Sequence, residues 1–181
     1  MEPVEISVGA LHLRPPQVGD VAALVRACDE EEIARWTPIP SPYRPADAEA
    51  YVERTATWWA EDRSAAFVVL DATTAELLGS VELFLQRGLY TGDGEIGFWV
   101  AREARGRGVG RRAVAAVCRW GFGALDLPRI TWLASVGNEP SRRLAERIGV
   151  TVEGTLRSGL VHKGERRDAW IGSLLPGEVR G

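Results

Sequence analysis

The stretch that most constrains this chain is Arg105-Gly106-Arg107-Gly108-Val109-Gly110, followed at once by Arg111 and Arg112. Before it, Glu95-Ile96-Gly97-Phe98-Trp99-Val100 reads as a strand. After it, residues 109–124 place Val109, Ala113, Ala116, Val117, Trp120 and Ala124 at spacings of three and four, the stripe of a helix packed on a sheet. Three alternating glycines let the backbone turn sharply and put no side chain between its N–H groups and a ligand. The helix adds unpaired amides and the positive end of its dipole, so strand, turn and helix together make an anion cradle. A glycine-rich loop with solvated arginines would show the same hexad, and its surroundings have to decide.

Further strands and helices flank this unit. After a short N-terminal tail, Ala10–Arg14 alternates as a strand that Pro15-Pro16 ends. Asp20 caps a helix with Val21, Leu24, Val25 and Cys28 at helical spacing, running into the acidic Asp29-Glu30-Glu31-Glu32. Ile33–Pro42 holds too many prolines for a helix or central strand. It is expected to be a loop, either packed on the core or walling a substrate pocket. Asp47 opens a second helix, 47–61. Phe67–Leu70 and Leu77–Leu85 read as a hairpin, with Glu82 on its outer face or lining a cleft, and Gln86–Asp93 as a loop.

Beyond the glycine turn, Gly121 and Gly123 loosen the end of the helix and Pro128 stops it. Ile130–Ser135 is apolar enough for a buried central strand. Strand, helix and strand over about 40 residues imply a right-handed βαβ crossover. Asn138 caps a further helix, Glu139–Ile148, by accepting from the Ser141 amide, since Pro140 has no N–H; Gly149 closes it. Thr151–Leu160 and Arg167–Leu175 form a final antiparallel pair joined through His162-Lys163-Gly164-Glu165. No repeat or linker divides the chain, so residues 1–181 are expected to form one domain.

Composition narrows the function. At 45% hydrophobic and 26% charged residues, the 181-residue chain is globular and can bury a core. No apolar run approaches the roughly 20 residues that span a bilayer, and the start, with Glu2 and Glu5, has no secretory core. A cytoplasmic protein without membrane partners is expected. Cys28 and Cys118 make neither a disulfide framework nor a metal cluster, so no metal is expected. The net charge of −3 hides a division: residues 1–100 hold 7 Lys+Arg and 17 Asp+Glu, a net −10, and residues 101–181 hold 15 and 8, a net +7. A basic half containing the glycine turn suits a polyanion, and an acidic half suits a cationic amine. Nucleic acid is disfavoured, because the arginines are not interleaved with exposed aromatics and the whole is acidic.

A Walker loop needs Lys-Ser/Thr after its last glycine, where this chain has Arg111-Arg112. A dinucleotide fingerprint needs its third glycine three places after the second, and here the glycines alternate. What fits is Arg105-x-x-Gly108-x-Gly110, and with it the chain resembles the GNAT superfamily of acyl-CoA-dependent N-acetyltransferases, on the branch of the ribosomal-protein alanine N-acetyltransferases RimJ and RimL. The resemblance covers nearly the whole chain. It is carried by Leu11-His12-Leu13-Arg14, Gly79-Ser80-Val81-Glu82, Glu95–Val100, the glycine turn, Asn138-x-x-Ser141, and Gly154-x-Leu156-Arg157 with Gly164-x-x-Arg167-Asp168. It implies an α+β fold, a mixed, mostly antiparallel sheet splayed open between two strands, with helices on both faces.

The resemblance also implies a site. Arg105, Gly106, Arg107, Gly108, Val109 and Gly110 would contact the CoA pyrophosphate, mainly through their amides, with Arg111 as a phosphate partner or a solvated arginine. Phe98 and Val100 would pair with pantetheine through their main chains, and the Val100 N–H would hold the thioester carbonyl as its charge develops. Asn138 would touch pantetheine and fix the turn. Ser141 stands where the family protonates the departing thiolate; its alternative is a packing role in the first helical turn.

Acetyl-CoA is thus the implied co-substrate and a primary amine the acceptor, led by a protein or peptide α-amino group. A small-molecule amine or antibiotic, or a CoA-binding regulatory module without turnover, stays open, as does a homodimer. The neutral amine attacks the thioester directly, and CoA thiolate leaves the tetrahedral oxyanion. An α-amine with a pKa of about 7.7–8.0 needs only a modest base or an ordered water, and no covalent enzyme intermediate is required. Glu82 and Glu95 are the candidate bases; His162 reads as a loop histidine and Asp168 as a structural partner of an arginine. Two departures from the family, Val150 for an aromatic and Leu160 for an ionisable group, fall on the acceptor side.

Overall fold

The computed structural model describes residues 1–85 and 92–181. Its strands are β1 (Ile6–Val8), β2 (Leu11–Arg14), β3 (Ser64–Asp71), β4 (Leu77–Phe84), β5 (Gly94–Val100), β6 (Ile130–Ser135), β7 (Thr151–His162) and β8 (Glu165–Leu174). The helices are α1 (Val21–Cys28), α2 (Glu31–Trp36), α3 (Pro45–Ala60), α4 (Val109–Ala124) and α5 (Glu139–Ile148). The strands form one sheet in the order β1-β2-β3-β4-β5-β6-β8-β7. Among the described residues β5 and β6, linked by α4, are the one parallel pair.

Side-chain alternation divides the core between two faces. On β3, Phe67 and Val69 join the main core with Ala113, Val114 and Val117 of α4. Val68 and Leu70 face the other way, onto Leu24 and Cys28 of α1 and Ala48 and Val52 of α3. Trp59, at the end of α3, is buried in the main core, and its indole N–H donates to the Ala66 carbonyl at 3.1 Å. Helices therefore cover both faces, as the resemblance implies.

The sheet is split. β5 pairs with β6 only from Gly94↔Ile130 to Ile96↔Trp132, whereas β4 stays paired to β5 through Val100 and β8 to β6 through Ser135. Beyond Ile96 and Trp132 the two central strands no longer pair, and a cleft opens between them.

Several elements differ from the sequence reading. The N-terminal tail contains β1, which pairs back on β2 through a tight turn at Gly9-Ala10. Ile33–Trp36 belongs to α2, not to a loop, because the prolines begin only at Pro38. The helix closes where Thr37 turns extended ahead of Pro38, with its N–H and hydroxyl on the Ile33 carbonyl at 3.0 and 2.6 Å. Asp20 precedes α1, but its carboxylate is taken by Arg14, 2.8 Å on each oxygen, and by the Gln17 amide. Asp47 lies inside the first turn of α3, behind Pro45. Gly121 does not loosen α4: a Cβ there would stand 2.8 Å from a Leu83 methyl, so the residue is a close contact between helix and sheet. His162 ends β7 and is buried, 3% exposed, and Asp168 accepts from the Ser158 amide at 2.8 Å where the sequence suggests an arginine. The expected Gln86–Asp93 loop lies outside the described residues except for Gly92 and Asp93.

Gly79 lies opposite Val100 across β4 and β5, and a Cβ on it would stand 2.5 Å from the Trp99 carbonyl oxygen. Gly79→Ala must push the two strands apart beside the cleft. It is expected to destabilise the fold by about 1–3 kcal/mol, read from the urea midpoint at unchanged slope.

Candidate functional site

The first wall of the cleft is β5, and its peptide groups can be assigned a direction. The Gly94 amide donates to the Arg129 carbonyl on the β6 side, 3.0 Å, and the Ala101 amide to the Leu78 carbonyl on the β4 side, 2.9 Å. Because peptide groups alternate along a strand, Ile96, Phe98 and Val100 share the direction of Gly94. Ile96 lies in the last pair with β6; Phe98 and Val100 come after it and turn their peptide groups toward the opening, the Val100 carbonyl being met there by the Arg105 Nε–H.

The strand runs through a short 3-10 turn, Arg102–Ala104, into the glycines. Gly106 and Gly108 have φ of 73° and 72°, the left-handed region that glycine enters without a Cβ clash. The first hydrogen bond of α4 joins the Arg112 amide to the Gly108 carbonyl at 3.2 Å, so the amides of Val109, Gly110 and Arg111 precede it. Gly110 is a close contact, since a Cβ on it would meet Leu144 at 2.7 Å and Val100 at 2.9 Å. Arg107 and Arg111 are exposed.

Two arginines act differently from what the sequence suggests. Arg105 turns its guanidinium onto Glu30, at 2.9 and 2.6 Å, and its Nε–H onto the Val100 carbonyl at 3.1 Å; its amide donates to Arg102 at 3.3 Å. Its amide and side chain are therefore engaged within the protein. Arg112, which the sequence reading passed over, has a buried Nε with no hydrogen-bond partner, and its Nη1 is the nearest atom to the side-chain position of Gly108, at 3.9 Å. A buried guanidinium N–H without an acceptor under an amide-lined turn is what an anion would complete. The arrangement fits a pyrophosphate.

The second wall comes from β6 and α5. Trp132, 1% exposed, donates its indole N–H to Ser141 Oγ at 3.1 Å. An indole nitrogen only donates, so the serine accepts and keeps its own proton available to give. Asn138 Oδ1 accepts from the Ser141 amide at 3.3 Å, as expected of the cap. Ser135, 3% exposed at the end of β6, has a hydroxyl with no partner.

The carboxylates occupy different levels. Glu82 faces Gly97, the first β5 residue past the last β5–β6 pair. It is half-buried and accepts from Ser64 Oγ at 2.6 Å. Tyr51 lies near it: burial first, then the Glu82 charge, pushes the phenol upward, and its hydroxyl shares a hydrogen bond with Ser80 at 3.0 Å. Glu95 faces Thr131 where β5 and β6 are still paired, below the opening. Among the described residues no His/Cys/Asp/Glu group could hold a metal ion, and no helix is long and apolar enough to cross a membrane.

A sheet split between its central strands, with an amide-lined turn leading from one wall into a helix, is the architecture that the resemblance to acyl-CoA-dependent transferases implies. The family model of the Acetyltransferase (GNAT) domain matches residues 10–151, and the chain belongs to that family. Among curated proteins it is similar to the Bacillus subtilis protein named "Putative ribosomal N-acetyltransferase YdaF", 41% identical over 87 residues that cover 48% of each chain. The chain thus spans about half the length of that relative. It is also similar to the Bacillus licheniformis protein named "Uncharacterized N-acetyltransferase p20", 26% identical over 94% of this chain and 96% of that one. Among solved structures, Mycobacterium smegmatis RimJ in complex with CoA-disulfide superposes with a TM-score of 0.84 at 24% identity, covering 99% of this chain and 89% of that one.

Both cysteines are buried, Cys28 under α3 and Cys118 inside α4, and burial pushes each thiol up to about 12. Neither is expected to react with iodoacetamide at pH 8 in the folded protein, and both should react in urea. Mass spectrometry before and after unfolding checks this.

Proposed function

We propose that the protein transfers the acetyl group of acetyl-CoA directly to a primary amine, with both substrates bound together in the split between β5 and β6. The observation that carries the reading is the stretch of β5 past its last pair with β6, where the Phe98 peptide group and the Val100 N–H turn toward the opening and lead straight into the glycine turn. An extended pantetheine arm carries amides that can pair with that stretch, and its pyrophosphate suits the turn. The amides of Gly106–Arg111 and the Arg112 guanidinium receive the phosphates, Asn138 holds the turn beside pantetheine, and the Val100 N–H meets the thioester oxygen as charge gathers there.

Glu82 is the favoured base, because it stands opposite Gly97 at the level of the opening; Glu95 lies below. Ser141, held by Trp132, gives its proton to the leaving thiolate. The buried thiols suit a direct transfer without an acyl-cysteine. The acidic N-terminal half favours a cationic amine, and the ribosomal N-acetyltransferase similarity favours a peptide α-amine within that class.

Thiol release from acetyl-CoA is expected with peptide amines. Ser141→Ala should lower kcat by about 100-fold while leaving the acetyl-CoA KM within about twofold. Release with small amines alone would move the acceptor class, and acetyl-CoA binding without release by any amine would overturn the enzyme reading. Separately, Gly108→Glu should abolish acetyl-CoA binding in calorimetry while the circular dichroism stays native. The carboxylate enters the cradle at a strain of about 1–2 kcal/mol. Unimpaired binding would refute the pyrophosphate assignment.

A further inference from the structure

The acidic run before and within α2 is tied to the donor side of the cleft. Glu30 immediately precedes α2, and its carboxylate takes the Arg105 guanidinium in a two-pronged bridge at 2.9 and 2.6 Å, with the Glu30 side chain 18% exposed. Arg105 is itself fixed to the end of β5 through the Val100 carbonyl. At the other end of α2, the Trp36 ring reaches 3.7 Å from the side-chain position of Gly137, in the turn between β6 and α5. That ring is braced by its own N–H on Glu32, 3.2 Å, and by the Arg35 guanidinium 4.8 Å from its centre. Ile33 and Ala34 anchor the helix inward.

Six helical residues span about 9 Å, roughly twice the spacing of paired strands. That length matches a gap left when two neighbouring strands part. α2 therefore touches the extension of each wall, the glycine turn after β5 and the capping turn after β6, and lies across the mouth of the split. A cavity of about 410 Å³ opens beside the bridge, lined by Asp29, Glu30, Glu31, Glu32, Arg102 and Arg105.

We propose that Glu30 is a positioning residue that couples the two substrates: through Arg105 it sets α2, and with it Trp36, as the acceptor wall in register with the donor loop. The inference rests on the reading that the split receives acetyl-CoA. When CoA orders the glycine turn, Arg105 is held more firmly, and the bridge passes that constraint to α2. Without the bridge, α2 keeps its buried Ile33 but loses its fixed distance from the donor loop. The acceptor then meets a looser wall, while the backbone cradle that holds the phosphates is unchanged.

Glu30→Gln keeps the shape and removes the charge. It is expected to raise the acceptor KM about fivefold, with acetyl-CoA affinity by calorimetry within about twofold of wild type, and Glu30→Asp should recover part of the loss. A bridge that only stabilised the fold would lower the melting temperature without separating the two substrates. Hydrogen exchange supplies an arm that needs no turnover. Free CoA should slow exchange across residues 31–36 in the wild type and not in Glu30→Gln. An unchanged acceptor KM, an equal loss for both substrates, or equal slowing in the two proteins overturns the coupling. CoA binding with no amine turned over removes the enzyme reading alone, leaving exchange to decide the coupling; no CoA binding removes both.

Discussion

Everything at this site depends on a hydrogen-bonding constraint: two neighbouring strands stop pairing while each remains fully paired on its other side. β5 is held by β4 to Val100, and β6 by β8 to Ser135, so neither can swing across to close the gap without breaking a second ladder. The Phe98 peptide group and the Val100 N–H are left facing the gap, while the Val100 carbonyl accepts from Arg105. Main-chain groups in such a place need an acceptor or donor from outside, which makes the split a site for an extended, amide-bearing molecule. Gly110 fixes the geometry at one end, since Val100 and Leu144 both press on the space where its side chain would stand.

Much of the fold was legible because the central unit has strong local signals. Residues 94–135 hold a strand, a helix with an apolar stripe and a buried strand in sequence, and the observed α4 and β6 end where those patterns end. The Asn138 cap was legible for the same reason: a proline at the start of the helix leaves the Ser141 amide as the donor. Where the reading failed, a local rule was carried too far or a tertiary partner was invisible. The proline cluster constrains only the residue just before Pro38, so α2 survives upstream. β1 is three residues long, and only its pairing with β2 makes it a strand. Asp20 has the composition of a cap, yet Arg14 claims both its oxygens.

The candidate site divides along the same line. A cradle made of main chain can be read from glycines, because glycine at positive φ or at a close approach is a statement about backbone. Side-chain partners cannot be read that way. Arg105 meets Glu30 across 75 residues, and Trp132 meets Ser141 across the turn between strand and helix. Arg111 and Arg112 are adjacent and chemically identical, and only the fold places one outward and tucks the Nε of the other beneath the turn.

The electrostatic division of the chain acquires a location in this way. The acidic and basic halves meet at the Glu30–Arg105 bridge, and again where Arg129 stands 3.8 Å from Asp93, instead of forming two unrelated surfaces. Donor recognition through peptide groups asks little of side chains beyond being small, so the same walls can serve a family with many acceptors. On the proposed reading acceptor recognition comes from side chains that overhang the split, on α2 and β4: Trp36, Glu32 beside it, and Glu82. Val150, where the chain departs from the family, follows α5 and is buried, and Leu160 lies on β7 opposite Arg167 of β8. On the proposed reading the acceptor wall depends on α2 being held in place, and the bridge to Arg105 joins α2 to the donor side.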